Sequence, residues 1–226
     1  MHVNFNRKVL FDLNRKSLFI ISSAVYITSN PLSYTATRSA FNDDERARQT
    51  LKTIQSIKTS MPEAQILLIE MGLKKDLPYD IEKMADKYLY LGNKRMIREA
   101  ADGPFKGFGE ALGLYLANRA IQSFEADYFY KLSGRYYLNE HFNENEWTAD
   151  GYTGRDYYGG LFTVLYGFPK RLYSNWRDSL KTSFPVLKQG ESLEIIQPTT
   201  MEKPLYYKDQ IGVSGWESHS GSFISL

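Results

Sequence analysis

The run from Leu18 to Thr28 (LFIISSAVYIT) is the longest apolar stretch in the chain, and its surroundings decide the fold class. It is about half the ~20 residues that a membrane-spanning helix needs, and β-branched and aromatic residues dominate it, so it reads as a buried strand. After a polar loop, Asp43 to Met61 carries apolar residues at Ala47, Leu51, Ile54, Ile57 and Met61, the stripe of an amphipathic helix. Asn42 or Asp43 can cap that helix, and Pro62 stops it. Gln65 to Glu70 (QILLIE) then reads as a second buried strand, completing a β-α-β unit.

The pattern continues with a helix near Asp80 to Lys87, a strand Tyr88 to Leu91, and a stretch broken by Gly and Pro. A strong helix from Phe108 to Phe124 and a strand Asp127 to Leu132 follow. Strands alternating with helices imply an α/β fold with a mainly parallel sheet, whose ligands bind at the carboxyl ends of the strands. Functional groups are therefore expected just after Thr28, Glu70, Leu91 and Leu132. Beyond Ser133 the chain becomes aromatic and Gly-rich, with a helix near Tyr173 to Thr182 and strand-like pieces near Leu193 to Ile196 and Gly212 to Trp216. No repeat, heptad run or low-complexity segment interrupts this order.

Composition removes several function classes. The chain of 226 residues has 28 Lys plus Arg against 26 Asp plus Glu, too little positive excess for general nucleic-acid binding. Zero cysteines exclude disulfides, thiolate metal sites and a cysteine nucleophile, and His2, His141 and His219 lack zinc-ligand spacing. The polar, charged start (MHVNFNRKVLFDLNRK) is unlike a signal peptide, and no apolar run is long enough to span a membrane, so a cytoplasmic location is expected. The absence of a G-x-S-x-G elbow argues against serine-hydrolase chemistry.

Two segments carry chemistry. In GFGEALG, Gly107, Gly109 and Gly113 open a helix, as in dinucleotide- or S-adenosylmethionine-binding turns. The spacing is GxGxxxG and no strand immediately precedes it, so Gly113 is expected to be a close-packing position inside the helix. In YKLSGRY (130–136), Lys131 and Arg135 flank the turn at a strand's carboxyl end. There they could neutralise a diphosphate, with Gly134 letting backbone approach a ligand; the alternative is an ordinary turn with solvated charges. Arg46 and Gln49 either hold the loop above the first helix or face solvent.

The segments ATRSAFNDDERARQTLKTIQSIKTSMPEAQILLIE (35–70), KGFGE (106–110), FYKLSGRYYL (129–138) and IGVSGW (211–216) together resemble the GT-A class of glycosyltransferases, in particular a small group from polysaccharide gene clusters and large viruses. The resemblance implies one GT-A-like three-layer domain over 1–226. A nucleotide-sugar half would span about 1–135 and an acceptor half about 136–226. It places Arg38 at the nucleotide, Glu70 where an acid holds base or ribose, and Lys131 to Arg135 where the family's metal-binding Asp-x-Asp sits. Lys106, Glu110, Ser133, Gly134 and Tyr136 join the substrate-binding set. This chain has no Asp-x-Asp. Lys131 and Arg135 are therefore expected to stabilise the leaving diphosphate without a metal, with Mg²⁺ or Mn²⁺ kept open. Transfer with inversion needs a base, for which Glu194, Asp156 and Glu110 are candidates. Glu194 is preferred because GT-A enzymes often carry the base in the later half. His219 is either a late nucleotide or metal ligand or simply exposed. The tyrosines of the second half, among them Tyr136, Tyr157, Tyr158 and Tyr166, suit sugar faces as well as a core. The alternatives are a non-catalytic nucleotide-sugar or glycan-binding domain of this fold and a methyltransferase using GFGEALG.

Overall fold

The computed structural model describes residues 15–147 and 150–226. His2 and most of the charged N-terminal segment lie outside the described residues. In order, the elements are β1 (Ser17–Ser23), α1 (Asp43–Ser60), β2 (Gln65–Glu70), α2 (Ile81–Met84), β3 (Lys87–Tyr90), α3 (Arg95–Ala101), α4 (Lys106–Leu116) and α5 (Asn118–Ile121). Then come β4 (Tyr128–Ser133), β5 (Tyr136–Leu138), β6 (Tyr152–Gly154), β7 (Asp156–Tyr157), β8 (Gly160–Leu161), β9 (Leu165–Pro169), α6 (Tyr173–Leu187), α7 (Leu193–Thr200), β10 (Leu205–Tyr207), β11 (Val213–Trp216) and β12 (Phe223–Ser225).

The fold is α/β, built on a seven-stranded mixed sheet of order β10-β6-β9-β4-β1-β2-β3. β1 pairs in parallel with both β2 and β4, and only β9 runs against its neighbours β4 and β6. Every residue of β1 is buried, as expected of a strand covered on both faces. Alternate side chains go to opposite layers. Leu18 and Ile20 pack with Leu114 of α4 and Trp176 and Leu180 of α6, while Phe19 and Ile21 pack with Ala47, Ile54 and Ile57 of α1. Helices thus cover both faces. A smaller antiparallel sheet, β12-β11-β5, and a β7-β8 hairpin complete the fold.

α1 starts with a capping box: Asn42 Oδ1 accepts from the Glu45 amide at 2.9 Å, and the Asn42 amide donates to Glu45 Oε2 at 2.8 Å. Its inner face also carries hydroxyls. Thr50 Oγ1 donates to the Gly134 carbonyl at 3.1 Å and Thr53 Oγ1 to the Tyr136 carbonyl at 2.7 Å, which pins the turn holding Arg135.

Several boundaries differ from expectation, for physical reasons. β1 ends at Ser23, because the chain turns where Glu70 Oε1 accepts from the Val25 amide at 2.9 Å. Leu193 to Ile196 is the start of α7, not a strand; a short apolar run has no periodicity that separates the two. α3 lies unexpected in the Gly- and Pro-broken stretch, since it buries only Ile97 and Ala100. The helix expected over Phe108 to Phe124 is two helices, α4 and α5. Gly113 is a packing position, as expected: a Cβ there would sit 2.1 Å from Met71 Sδ.

Candidate functional site

β2 and β3 extend the sheet on one side of β1, and β4 starts the other side, so strand order reverses between β1 and β4. At such a switch point the adjacent loops part and leave a crevice at the carboxyl ends of the strands. Here that crevice is a cleft floored by Ser22 and Ser23 of β1, Ser133 at the end of β4 and Arg135 after it, and closed by the first turn of α4. An inner recess of about 80 Å³ and an outer cavity of about 330 Å³ share Lys106, Glu110, Ser133, Arg135 and Ser218 as walls.

Two cations in the cleft stand outside any ion pair among the described residues, although the charges of Glu110 and Glu194 act on Lys106 from a distance. Lys106, the first residue of α4, has no hydrogen-bond or ion-pair partner among the described residues, and burial, reinforced by the positive charge of Arg135, pulls its ammonium down to about 7. Arg135 likewise has no acceptor, and its Nε is buried without a partner. Gly134 brings this turn against β1: its amide donates to the Ser22 carbonyl at 2.9 Å, and a Cβ would lie 3.1 Å from that oxygen. The carrier of Arg135 therefore sits tight between β1 and α1.

The other charges are committed. Lys131 is 1% exposed and its Nζ contacts Glu110 Oε1 at 2.5 Å and donates to the Thr163 carbonyl at 2.6 Å. It is a paired core lysine, unlike the free cation expected beside Arg135. Burial would raise the Glu110 carboxyl, but Lys131, the Ser22 hydroxyl at 2.7 Å and Lys106 hold it down to about 2, so near neutrality it is an ion-pair partner and a poor base. Arg38 donates to the carbonyls of Asn30 at 2.7 Å, Ala101 at 2.8 Å and Asp102 at 2.8 Å, and also to that of Gly103. It borders the recess as a clamp between two loops. Arg46 holds the Ala24 and Val25 carbonyls and the Ser39 hydroxyl, so it supports the loop above α1. Burial pulls it down to about 9.

Glu70 does not line the cleft. It is wholly buried, its Oε1 accepts from the amides of Val25 at 2.9 Å and Gly72 at 2.7 Å, and burial raises its carboxyl. It splices the chain after β1 to the chain after β2, and because the side chain is wholly buried neither of its oxygens faces the cleft. Asp156 is also outside, exposed on the β7-β8 hairpin with the Gly159 amide at 3.4 Å.

Glu194, by contrast, lines the outer cavity. Its Oε1 accepts from Thr163 Oγ1 at 2.6 Å and its Oε2 from Ser192 Oγ at 2.5 Å. Around it stand Tyr136, buried and with its phenol pushed up to about 12, and Tyr157, stacked on Phe162 at 5.3 Å. Tyr34 and the exposed His219 meet edge to face at 5.8 Å on the rim. Lys106, Glu110, Lys131, Ser133, Arg135, Tyr136, Glu194 and His219 thus converge on one cavity from four separate parts of the chain. Sequence reasoning missed Ser22, Thr163, Ser192 and Phe162, which have no distinguishing local pattern. Among the described residues, no group of three His, Asp or Glu side chains is placed to hold a metal ion, and no helix is long and apolar enough to cross a membrane.

None of the protein-family models matches the chain, and a search of the curated proteins returns no match either. The chemistry of the cleft is therefore the main guide to what it takes. Lys106 at the start of α4 and Arg135 after β4, neither in an ion pair among the described residues, suit an anion with more than one charge, and the adjoining cavity offers aromatic walls and, among its acidic lining residues, the hydrogen-bonded carboxylate of Glu194.

Proposed function

We propose that the protein is a GT-A-type glycosyltransferase that moves a sugar from a nucleoside-diphosphate sugar to a hydroxyl of a glycan or small acceptor. The observation that carries this reading is the pair of unpaired cations, Lys106 and Arg135, at the strand-order switch point beside a cavity walled by Glu194. The sheet order with a single reversed strand agrees with it. Lys106 and Arg135 would hold the diphosphate and stabilise the charge that develops as its bond to the sugar breaks. Glu194 would take the proton of the acceptor hydroxyl as its oxygen bonds to the anomeric carbon and the nucleoside diphosphate leaves with the electron pair. A methyltransferase reading is disfavoured by the glycines of GFGEALG. They lie within α4, where a Cβ on Gly109 would be 2.8 Å from the Ala100 carbonyl oxygen, so they serve helix packing and do not form a ligand turn.

Calorimetric titration with UDP, GDP, CDP and dTDP, their common sugar conjugates and S-adenosylmethionine, each with and without Mn²⁺, tests the reading. At least one nucleoside diphosphate or conjugate is expected to bind. Binding of S-adenosylmethionine alone, or of nothing, would overturn it. Binding with no turnover would leave a non-catalytic domain of the same fold.

The state of Lys106 adds a pH dependence. Its ammonium titrates near 7 in the free protein, and a bound diphosphate favours the charged form. Affinity is thus greatest below pH 7 and weakens as pH rises through that value, by up to about tenfold per unit. Nucleotide sugars are the probe, because their phosphodiester charges do not change near neutrality. A Lys106→Met variant should bind more weakly at pH 6.5 and show a flat profile from pH 6 to 8. An unchanged slope in the variant would remove Lys106 from the anion site.

A further inference from the structure

A lysine in the middle strand of a sheet, 1% exposed, is costly unless its charge is paired and hydrogen-bonded, and a methionine would fill the same volume. Lys131 lies between Ile20 of β1 and Tyr166 of β9 in register, and does not reach ligand as a free charge. Its Nζ instead joins two groups: Glu110 Oε1 at 2.5 Å, which also accepts from Ser22 Oγ, and the Thr163 carbonyl at 2.6 Å. Thr163 is 3% exposed and precedes β9 in a segment with no regular structure, so its carbonyl needs a partner from elsewhere. Once the carbonyl is fixed, the Thr163 hydroxyl points to Glu194 Oε1 at 2.6 Å. With Ser192 Oγ on Oε2 at 2.5 Å, each carboxylate oxygen of Glu194 has one donor, which fixes the plane of the group and leaves a lone pair on each oxygen.

We propose that Thr163 is the positioning residue of the Glu194 carboxylate, anchored by Lys131, so that one hydrogen-bonded chain from Ser22 through Glu110, Lys131 and Thr163 ties the strand under the donor site to the group that takes the acceptor proton. The inference rests on the reading of Glu194 as the proton acceptor in sugar transfer. A carboxylate misplaced by about 1 Å loses most of its value as a base, whereas donor binding at Lys106 and Arg135 does not depend on it.

The test compares Thr163→Val, which keeps the shape and removes the hydroxyl, with Thr163→Ser, which keeps the hydroxyl. The assay follows release of nucleoside diphosphate from UDP-, GDP-, CDP- and dTDP-sugars, with a mixture of methyl glycosides as acceptors, while donor affinity is titrated separately. The Val variant is expected to lose roughly tenfold or more in kcat with donor affinity within twofold of wild type, and the Ser variant to recover most of the loss. Wild-type kcat in the Val variant, or equal loss in both variants, would overturn the positioning role and leave the transferase reading standing. Donor binding without turnover in the wild-type protein would overturn both, because no proton transfer would remain for Thr163 to support.

Discussion

The double variant Lys106→Met/Arg135→Ala is expected to lose nucleoside-diphosphate binding by two to four orders of magnitude while folding normally. Each charge-assisted contact to phosphate is worth about 1.5–3 kcal/mol, or roughly 10- to 150-fold in affinity, and removing both leaves the cleft without an uncommitted cation among its described lining residues. The remaining cations cannot substitute. Lys131 is bound to Glu110 and the Thr163 carbonyl, and the Arg38 and Arg46 guanidiniums are held by backbone carbonyls. Stability should change little, since neither side chain forms an ion pair among the described residues, and the lost attraction between Lys106 and Glu110 is offset by relief of the repulsion between Lys106 and Arg135. Calorimetry at pH 6.5 with the tightest-binding diphosphate, alongside urea denaturation, separates the two effects. Retention of wild-type affinity in a folded double variant would show that the anion site lies elsewhere, and the transferase reading would lose its main support.

How much of this was legible in the sequence depends on the kind of signal. Buried parallel strands announce themselves as continuous apolar runs, which is why β2 was placed to the residue and β1 was found, although its end was expected at Thr28 and lies at Ser23, and α1 had both a stripe and a cap candidate in Asn42. Topology put ligand groups after four strands, β1 and β4 among them, and Arg135 lies where that rule points, whereas Lys106 opens α4 and was singled out only through the family resemblance. What stayed hidden was the allocation of partners. Lys131 and Arg135 look alike in YKLSGRY, yet strand alternation sends Lys131 into the layer that holds Glu110, and the turn leaves Arg135 at the cleft. Glu70 ends a strand at the right end of the sheet, but it is wholly buried, with one oxygen held by two loop amides 2.9 and 2.7 Å away. Arg38, expected at the nucleotide, borders the recess with its guanidinium taken up by carbonyls, and the loops that supply them meet only in three dimensions. Thr163 and Ser192 escaped because a hydroxyl in an irregular segment has no period, and only the folded chain shows which carboxylate it reaches.

The largest stability effect is expected at the buried pair. Lys131→Met should cost about 3–5 kcal/mol, because it leaves the Glu110 carboxylate in the cleft wall without its cation and the Thr163 carbonyl without its donor. The pair need not be a net stabiliser for this to hold. Burying two charges costs desolvation that their attraction roughly offsets, so Lys131→Met/Glu110→Gln, which removes both charges, should recover much of the loss. Acid provides the same distinction without a second mutation. Glu110 titrates at about 2 in the folded protein, below the ordinary glutamate range near 4.3, so its contribution is complete above pH ~4.5 and disappears as pH falls toward 2. The wild-type protein should therefore lose stability over that interval more steeply than the double variant, which has no carboxyl at position 110. In Lys131→Met the Glu110 carboxyl loses its main reason to stay ionised, and the single variant should come closest to wild type at the acid end. Urea denaturation of the three proteins at pH 7 and pH 3 reads all of this. A Lys131→Met variant within 1 kcal/mol of wild type at pH 7 would mean that the ammonium escapes to solvent or that water replaces it, and the chain that leads through Thr163 to Glu194 would lose its anchor.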